Sequence, residues 1–133
     1  MANYYGTGRS NYVRVSDLEK FKQICIKYGL TFIQNKEGLV GFTCEEMEDG
    51  DVPAFIYDEE TEDDISVDPL KEMSELLLDN EVLVHQTIGN EKMRYVSGYS
   101  IAINNKGKFV SIGLDDIYKK AKKLGKNITQ AQY

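Results

Sequence analysis

The sequence predicts an α+β domain in which an antiparallel sheet, built from hairpins, carries two or three helices on one face. Stretches rich in β-branched and aromatic residues are separated by short turns such as NKEG and NNKG, which is typical of hairpins. Stretches with apolar residues at helical spacing lie between them. No run of β-α-β crossovers appears, which favours antiparallel pairing. We expect residues 1–133 to form a single domain, with an acidic segment at 45–68.

The first strand and the first helix are predicted from local signals. YVRV (12–15) alternates and consists largely of β-forming residues, so it is predicted to be the first strand. Ser16 and Glu19 form an S-x-x-E capping box, which predicts a helix over 17–28. Gly29 ends that helix, because glycine takes the left-handed conformation after a helix without a steric cost.

The middle of the chain predicts a hairpin, a strand and a second helix. LTFIQ and LVGFTC flank the NKEG turn and predict a hairpin over 30–44, and AFIY (54–57) is predicted to be a short strand inside the acidic segment. Asp68-Pro69 is a strong helix start, since Asp caps the free N–H groups and Pro fits the first turn. Apolar residues at helical spacing extend this helix to about residue 79.

The last third predicts three strands and a helix. EVLVHQTI (81–88), KMRYVSGYSIAI (92–103) and KFVSI (108–112) alternate, with Gly89-Asn90 as a predicted turn between the first two. Asp115 and Asp116 begin the last helix, where negative charge favours the positive end of the helix dipole. The predicted order is therefore β-α-β-β-β-α-β-β-β-α.

Acidic residues are concentrated in the middle of the chain. Residues 45–70 carry twelve of the 22 Asp and Glu residues and no Lys or Arg, whereas the flanking parts are each mildly basic. Val52, Phe55, Ile56, Tyr57 and Ile65 interrupt the acids, which favours a structured surface over a solvated loop, the simpler interpretation of a charge run. Such a surface has three uses: to hold Ca²⁺, to capture a basic partner, or to imitate a nucleic-acid backbone.

The calcium interpretation fits poorly, because Pro53 and Ala54 stand where an EF-hand loop would need ligands. Capture of a basic protein surface fits the charge best. The residues predicted to bind that partner are Glu45, Glu46, Glu48, Asp49, Asp51, Phe55, Tyr57, Asp58, Glu59, Glu60, Glu62, Asp63 and Asp64.

An alternative site lies near the N-terminus. Tyr4, Tyr5 and Tyr12 offer stacking faces and Arg9 a cation, and the intervening G-T-G would let the backbone approach a ligand closely. The alternative function is therefore the sequestering of a small molecule or nucleotide. A simpler interpretation is a terminal strand whose tyrosines pack on the sheet.

No catalytic motif stands out. His85 is the only histidine and lies in a predicted strand, where it would need other groups nearby to act in an enzyme. Cys25 lies on the apolar face of a helix, whereas Cys44 ends a strand, a position that allows exposure. We expect no enzyme activity, no cofactor and no metal.

Two further stretches carry a resemblance. MANYYGTGRSNYVRV, together with DDIYKKAKKLG near the C-terminus, resembles small proteins carried by phages and mobile elements. Small, acidic, cofactor-free proteins of such elements include inhibitors of host defence, of the anti-CRISPR or antirestriction type. That class shares no motif, so the resemblance implies a binding inhibitor without assigning functional residues.

Together these features predict a protein of the host cytoplasm that acts by binding. Its expected partner is a basic surface on a host nucleic-acid-binding protein. Contact with nucleic acid itself and with membranes is not expected, and homodimerisation is left open.

Overall fold

The computed structural model describes residues 4–45, 49–91 and 94–131. Within these residues the chain is α+β, as predicted. The strands are β1 (Tyr4–Ser10), β2 (Thr31–Gln34), β3 (Val40–Thr43), β4 (Phe55–Asp58), β5 (Asp63–Ser66), β6 (Leu83–Glu91), β7 (Arg94–Ile103) and β8 (Phe109–Gly113). The helices are α1 (Leu18–Lys27), α2 (Pro69–Ser74) and α3 (Ile117–Ala121), the last preceded by a 3-10 turn at Leu114–Asp116.

Six of these strands form one antiparallel sheet in the order β2-β3-β1-β6-β7-β8. The N-terminal strand β1 therefore lies in the interior of the sheet, between β3 and β6. Strands β4 and β5 pair only with each other and form a separate two-stranded sheet.

The two faces of the large sheet have different environments. Along β6, the residues Leu83, His85 and Thr87 are buried and alternate with the exposed Gln86 and Ile88. The buried side, called the core face here, meets residues of α1 and α2 in a single apolar core. The other side is called the open face. The prediction of helices on one face holds for α1 and α2, whereas α3 has no buried residue.

The prediction of the first strand was wrong in position. Val13 and Val15 make only isolated bridges, to Val40 and Leu77, and the first strand is β1, residues 4–10. Because β1 pairs with neighbours on both sides, 12–15 serves instead as the connection from the sheet to α1. The simpler interpretation, a terminal strand, describes the N-terminus better.

Helix starts were predicted more accurately than helix ends. The carboxylate of Asp68 accepts the N–H of Lys71 at 3.2 Å, with Pro69 in the first turn, as expected. Helix α1 is capped by Asp17, not by Ser16, since its carboxylate accepts the N–H of Lys20 at 3.0 Å. Helix α2 ends at Ser74, five residues before the predicted end at 79.

Two features of the β structure were missed. Gly89 and Asn90 are not a turn but lie within β6, where Gly89 pairs with Gly6 of β1 and with Ser97 of β7. Strand β5 was not predicted, because its sequence DDIS lacks a β-forming pattern and depends on pairing with β4.

Candidate functional site

The loop over residues 49–52 crosses the core face and is fixed there by one carboxylate. The Oδ1 atom of Asp51 lies 2.9 Å from Nε2 of His85, and the hydroxyl of Tyr99 donates to both oxygens of Asp51, at 2.8 and 3.0 Å. The N–H of Val52 donates to the same Oδ1 at 2.7 Å. One side chain of the acidic segment is therefore bound to the strands β6 and β7.

The histidine of this cluster is fully enclosed. His85 is 0% exposed, and its ring lies 5.4 Å from the ring of Phe42 and 5.9 Å from that of Tyr99, measured between centroids. No described residue forms a hydrogen bond with its Nδ1. Other groups do converge on His85, as an enzyme would require, but the burial of the ring keeps a substrate away from both nitrogens. The cluster joins the loop to the sheet.

These contacts change how two of the groups titrate. Burial alone would raise the pKa of Asp51, but the hydrogen bonds from His85, Tyr99 and the Val52 N–H outweigh it, so the pKa of Asp51 lies below its ordinary value. Burial, and then the hydrogen bond to Asp51, raises the pKa of Tyr99. At neutral pH the cluster therefore holds an ionised carboxylate and a protonated phenol.

Glycines bring the loop backbone directly onto β1. A side chain at Gly8 would overlap the carbonyl oxygen of Gly50, and one at Gly6 would overlap that of Asp49. Gly50 itself has a φ of +69°, which favours glycine, and its carbonyl accepts the hydroxyl of Thr87 at 2.7 Å. The proposal that Gly6 and Gly8 admit a ligand is thus corrected, because the protein's own loop occupies the space beside them.

Beyond the loop, β4 and β5 form an antiparallel hairpin, residues 55–66, called the acidic hairpin here. Ile56 pairs with Ile65, and Ile56 packs partly buried against the core. The alternate positions on β4 point the other way, so Phe55 and Tyr57 are each 62% exposed. Tyr57 lies directly across from Asp64. The hairpin thus presents two aromatic rings to solvent beside a carboxylate.

The end of the hairpin is an ordered acidic turn. The Asp58 carboxylate accepts the N–H of Glu60 at 3.1 Å and the hydroxyl of Thr61 at 3.2 Å. All ion pairs found among the described residues lie elsewhere in the chain, so none joins a Lys or Arg to the carboxylates between Asp58 and Asp64. These six acids carry a negative charge that the described side chains leave unneutralised.

The structure divides the predicted partner-binding residues into groups. The hairpin gathers Phe55, Tyr57, Asp58, Glu59, Glu60, Glu62, Asp63 and Asp64. Glu45 precedes the loop and Asp49 begins it, and both are exposed, whereas Glu46 and Glu48 lie outside the described residues. Asp51 does not belong to an outward-facing surface, since its carboxylate is bound to His85 and Tyr99.

Two residues of the alternative ligand site, Tyr5 and Arg9, line adjoining troughs. Tyr5 lines one trough of about 530 Å³ and Arg9 an adjoining trough of about 390 Å³, both on the open face. The Arg9 guanidinium lies 5.7 Å from the ring centroid of Tyr12, and its Nε donates to the Ser10 carbonyl at 3.1 Å. The side chain of Tyr4 lies outside the described residues. Small-molecule binding by these residues stays a prediction.

The cysteines are both buried, including Cys44, for which the position at a strand end had allowed exposure. Burial raises the pKa of Cys25 to about 12. Burial, with the nearby Asp51 and Asp49 charges, raises that of Cys44 to about 12. Neither thiol is therefore suited to act as a nucleophile.

In residues 4–45, 49–91 and 94–131, no three or more His, Cys, Asp or Glu side chains are grouped so that they could hold a metal ion. No helix in the same residues is long and apolar enough to cross a membrane. Comparisons with protein-family models, curated proteins and solved structures gave no match.

Sequence reasoning missed the role of Asp51. Nothing in its local sequence separates it from the other acids of the segment. The only available signal was His85 in a strand that alternates toward the core, because a buried histidine needs a hydrogen-bond partner.

Proposed function

We propose that this protein is a non-catalytic binding protein that acts through the acidic hairpin on a basic surface of a host nucleic-acid-binding protein, in the host cytoplasm. The observation that carries the proposal is the pair Phe55 and Tyr57, exposed on an ordered hairpin next to carboxylates that have no basic partner among the described residues.

The two kinds of side chain would have separate tasks. Aromatic residues supply large, rigid contact area and are frequent among the residues that dominate binding energy. The carboxylates attract a basic surface over a distance, which raises the association rate and excludes acidic partners. Because the Asp58 side chain fixes the turn, the acids are already placed before binding, which lowers the entropy lost on association.

The charge density of the hairpin suits a surface that normally binds nucleic acid. Strand residues are spaced about 3.3 Å apart, and each DNA strand carries one phosphate charge per about 3.4 Å of axis. Six of the seven residues from Asp58 to Asp64 are acidic, so the turn end of the hairpin carries a similar density of negative charge along the chain. A groove lined with Lys and Arg would therefore accept either a nucleic-acid strand or the acidic hairpin.

The assignment to phage or mobile-element inhibitors of host defence, of the anti-CRISPR or antirestriction type, has a different support. It depends on the resemblance of the two terminal stretches, whereas the binding mode depends on the hairpin. The two parts of the proposal can therefore fail separately.

The test is capture from a host lysate at low salt. The wild-type protein should retain nucleic-acid-binding proteins, and duplex DNA should displace them from it. The variant D58K/E59K/E60K should retain none of these proteins. A control with the same change of net charge, E37K/E75K/D115K, alters exposed acids outside the hairpin and should behave as wild type. Equal capture by the two variants would reject the hairpin as the binding surface.

A further inference from the structure

The open face of the large sheet carries apolar side chains that nothing in the described chain covers. Val110 and Ile112 of β8 are 71% and 67% exposed, and Ile88 and Val96 are each 55% exposed. Soluble monomers seldom expose connected apolar patches larger than a few hundred Å².

These side chains form one connected surface. Ile88 of β6 lies across from Thr7 of β1 on one side and from Gly98 of β7 on the other. On β7, Ser100 lies across from Ile112. The same troughs that contain Tyr5 and Arg9 are also lined by Ile88 and by Leu114, the residue after β8. The patch therefore extends from β1 to β8.

We propose that the open face is the interface of a homodimer. The size of the face agrees with this. The strands β1, β6, β7 and β8 have 7, 9, 10 and 5 residues, so at about 4.8 Å between strands and about 3.3 Å per residue they cover roughly 490 Å² in projection, and a corrugated surface exposes more than its projection. A standard interface buries about 800 Å² of accessible surface on each partner.

The charge of the face also favours a second copy over a charged partner. On the open face Arg9 carries a charge, whereas the side chains of Gln86, Ile88, Val96, Ser100, Val110 and Ile112 carry none. The acidic hairpin belongs to a separate sheet and contributes no residue there. Two copies can thus meet without placing their carboxylate clusters in the interface.

The proposed dimer uses the relief of the face. The exposed Val110 and Ile112 form a row along the edge strand β8, called the ridge here, and the trough of about 390 Å³, which is lined by residues of β1, β6 and β7 and by Ile112, lies beside this row. A two-fold axis parallel to the strands, between ridge and trough, places the ridge of each copy in the trough of the other. Such an interface is isologous and closes at two subunits.

Sedimentation velocity over a concentration series tests the dimer. The wild-type protein should sediment as a dimer at micromolar concentration, and Ile112→Asp should raise the dissociation constant by about 30-fold or more, the effect expected for a central apolar residue. The control Ile26→Asp changes an even more exposed residue, on helix α1, and should leave the dimer intact. A wild-type monomer at all concentrations, or equal effects of the two variants, would overturn the proposal.

Salt separates this inference from the proposed function. Each chain carries a formal net charge of −6, so salt screens the repulsion between two copies and should strengthen the dimer. Binding of a basic partner by the hairpin should become weaker as the salt concentration increases. A dimer that dissociates as the salt concentration increases would contradict an apolar interface, and this result would not depend on whether the hairpin binds its partner.

Disulfide cross-linking tests the ridge-in-trough arrangement. Gln86 and Ile112 lie two strands apart, about 10 Å, too far for a bond within one chain. The variant Q86C/I112C should therefore form covalent dimers on mild oxidation, because the native cysteines are buried. If the oxidised Q86C/I112C variant stays monomeric, this arrangement is rejected.

A small ligand in the trough is the competing occupant. If the wild-type protein stays monomeric while a nucleoside phosphate from a panel of mono- and triphosphates raises its melting temperature, the face is a ligand site and the dimer proposal is wrong.

Discussion

The carboxylate of Asp51 lies 2.9 Å from Nε2 of His85, although the two residues are 34 positions apart in the chain. This contact joins the start of the acidic segment to the centre of the sheet. The acidic hairpin follows within a few residues, so the hydrogen bonds of the loop to the sheet set where the hairpin begins.

The first prediction concerns this contact at neutral pH. Asp51→Asn removes the charge that accepts hydrogen bonds from His85 and Tyr99 and should lower the free energy of unfolding by about 2 kcal/mol. Urea unfolding at pH 7 measures the change. Asp64→Asn, at an exposed position on the hairpin, should have little effect.

The same variant gives a prediction for acidic pH. Because folding lowers the pKa of Asp51, the stabilisation is present above the pKa of the unfolded chain, about 3.9 for Asp, and is lost as the pH falls through the lower pKa of the folded protein. The difference in unfolding free energy between wild type and Asp51→Asn should therefore shrink between pH 5 and acidic conditions near pH 3. A difference that stays constant over this range would argue against an ionised Asp51 in the cluster.

The close approach of the loop to β1 gives a prediction on glycine. Gly8→Ala places a methyl group against the Gly50 carbonyl and should destabilise the protein by about 1–3 kcal/mol. Gly113→Ala in β8 is a matched control, because the added atom would meet its nearest neighbour, the Gly98 carbonyl oxygen, at an ordinary distance of 3.8 Å. Thermal unfolding of the two variants compares them, and similar losses would mean that the loop does not rest on β1.

Neighbouring residues of β4 should separate binding from stability. Tyr57→Ala removes an exposed ring and should change the unfolding free energy by less than about 0.5 kcal/mol. It should weaken partner binding by about 30-fold, the loss typical of an aromatic anchor. Ile56→Ala removes a side chain packed against the core and should show the reverse pattern. Titration calorimetry and urea unfolding provide the two measurements, and an unchanged affinity of Tyr57→Ala would remove Tyr57 from the interface.

The cysteines give a prediction on reactivity. Both thiols are buried with pKa values raised to about 12, so the native protein should resist alkylation at pH 8. The urea-unfolded chain should react at both positions, as mass spectrometry would show. Rapid labelling of Cys44 in the native protein would contradict the prediction, because it would mean that the thiol after β3 is accessible to solvent.

The success of sequence-based prediction depended on how local each signal was. Asp68-Pro69 was correctly predicted as a helix start, because its hydrogen bond to Lys71 lies within one turn. Strand β5 was missed because DDIS becomes a strand only through pairing with β4, most visibly Ile65 with Ile56.

The candidate site follows the same rule. The exposed Phe55 and Tyr57 could be predicted, since they alternate with Ile56 in a short strand of an acidic segment. The internal role of Asp51 could not, because it depends on His85 and Tyr99, which are far away in sequence. The open face could not be predicted either, since alternation alone does not reveal that α3 leaves one side of the sheet uncovered.

The most direct test of the central claim is the association rate of the hairpin with the captured partner as a function of salt. Between about 10 mM and about 150 mM salt the rate constant of the wild-type protein should fall at least tenfold, because screening removes the attraction between the fixed carboxylates and a basic surface. The variant D58K/E59K/E60K should associate slowly at every salt concentration. A wild-type rate that does not change with salt would contradict the account.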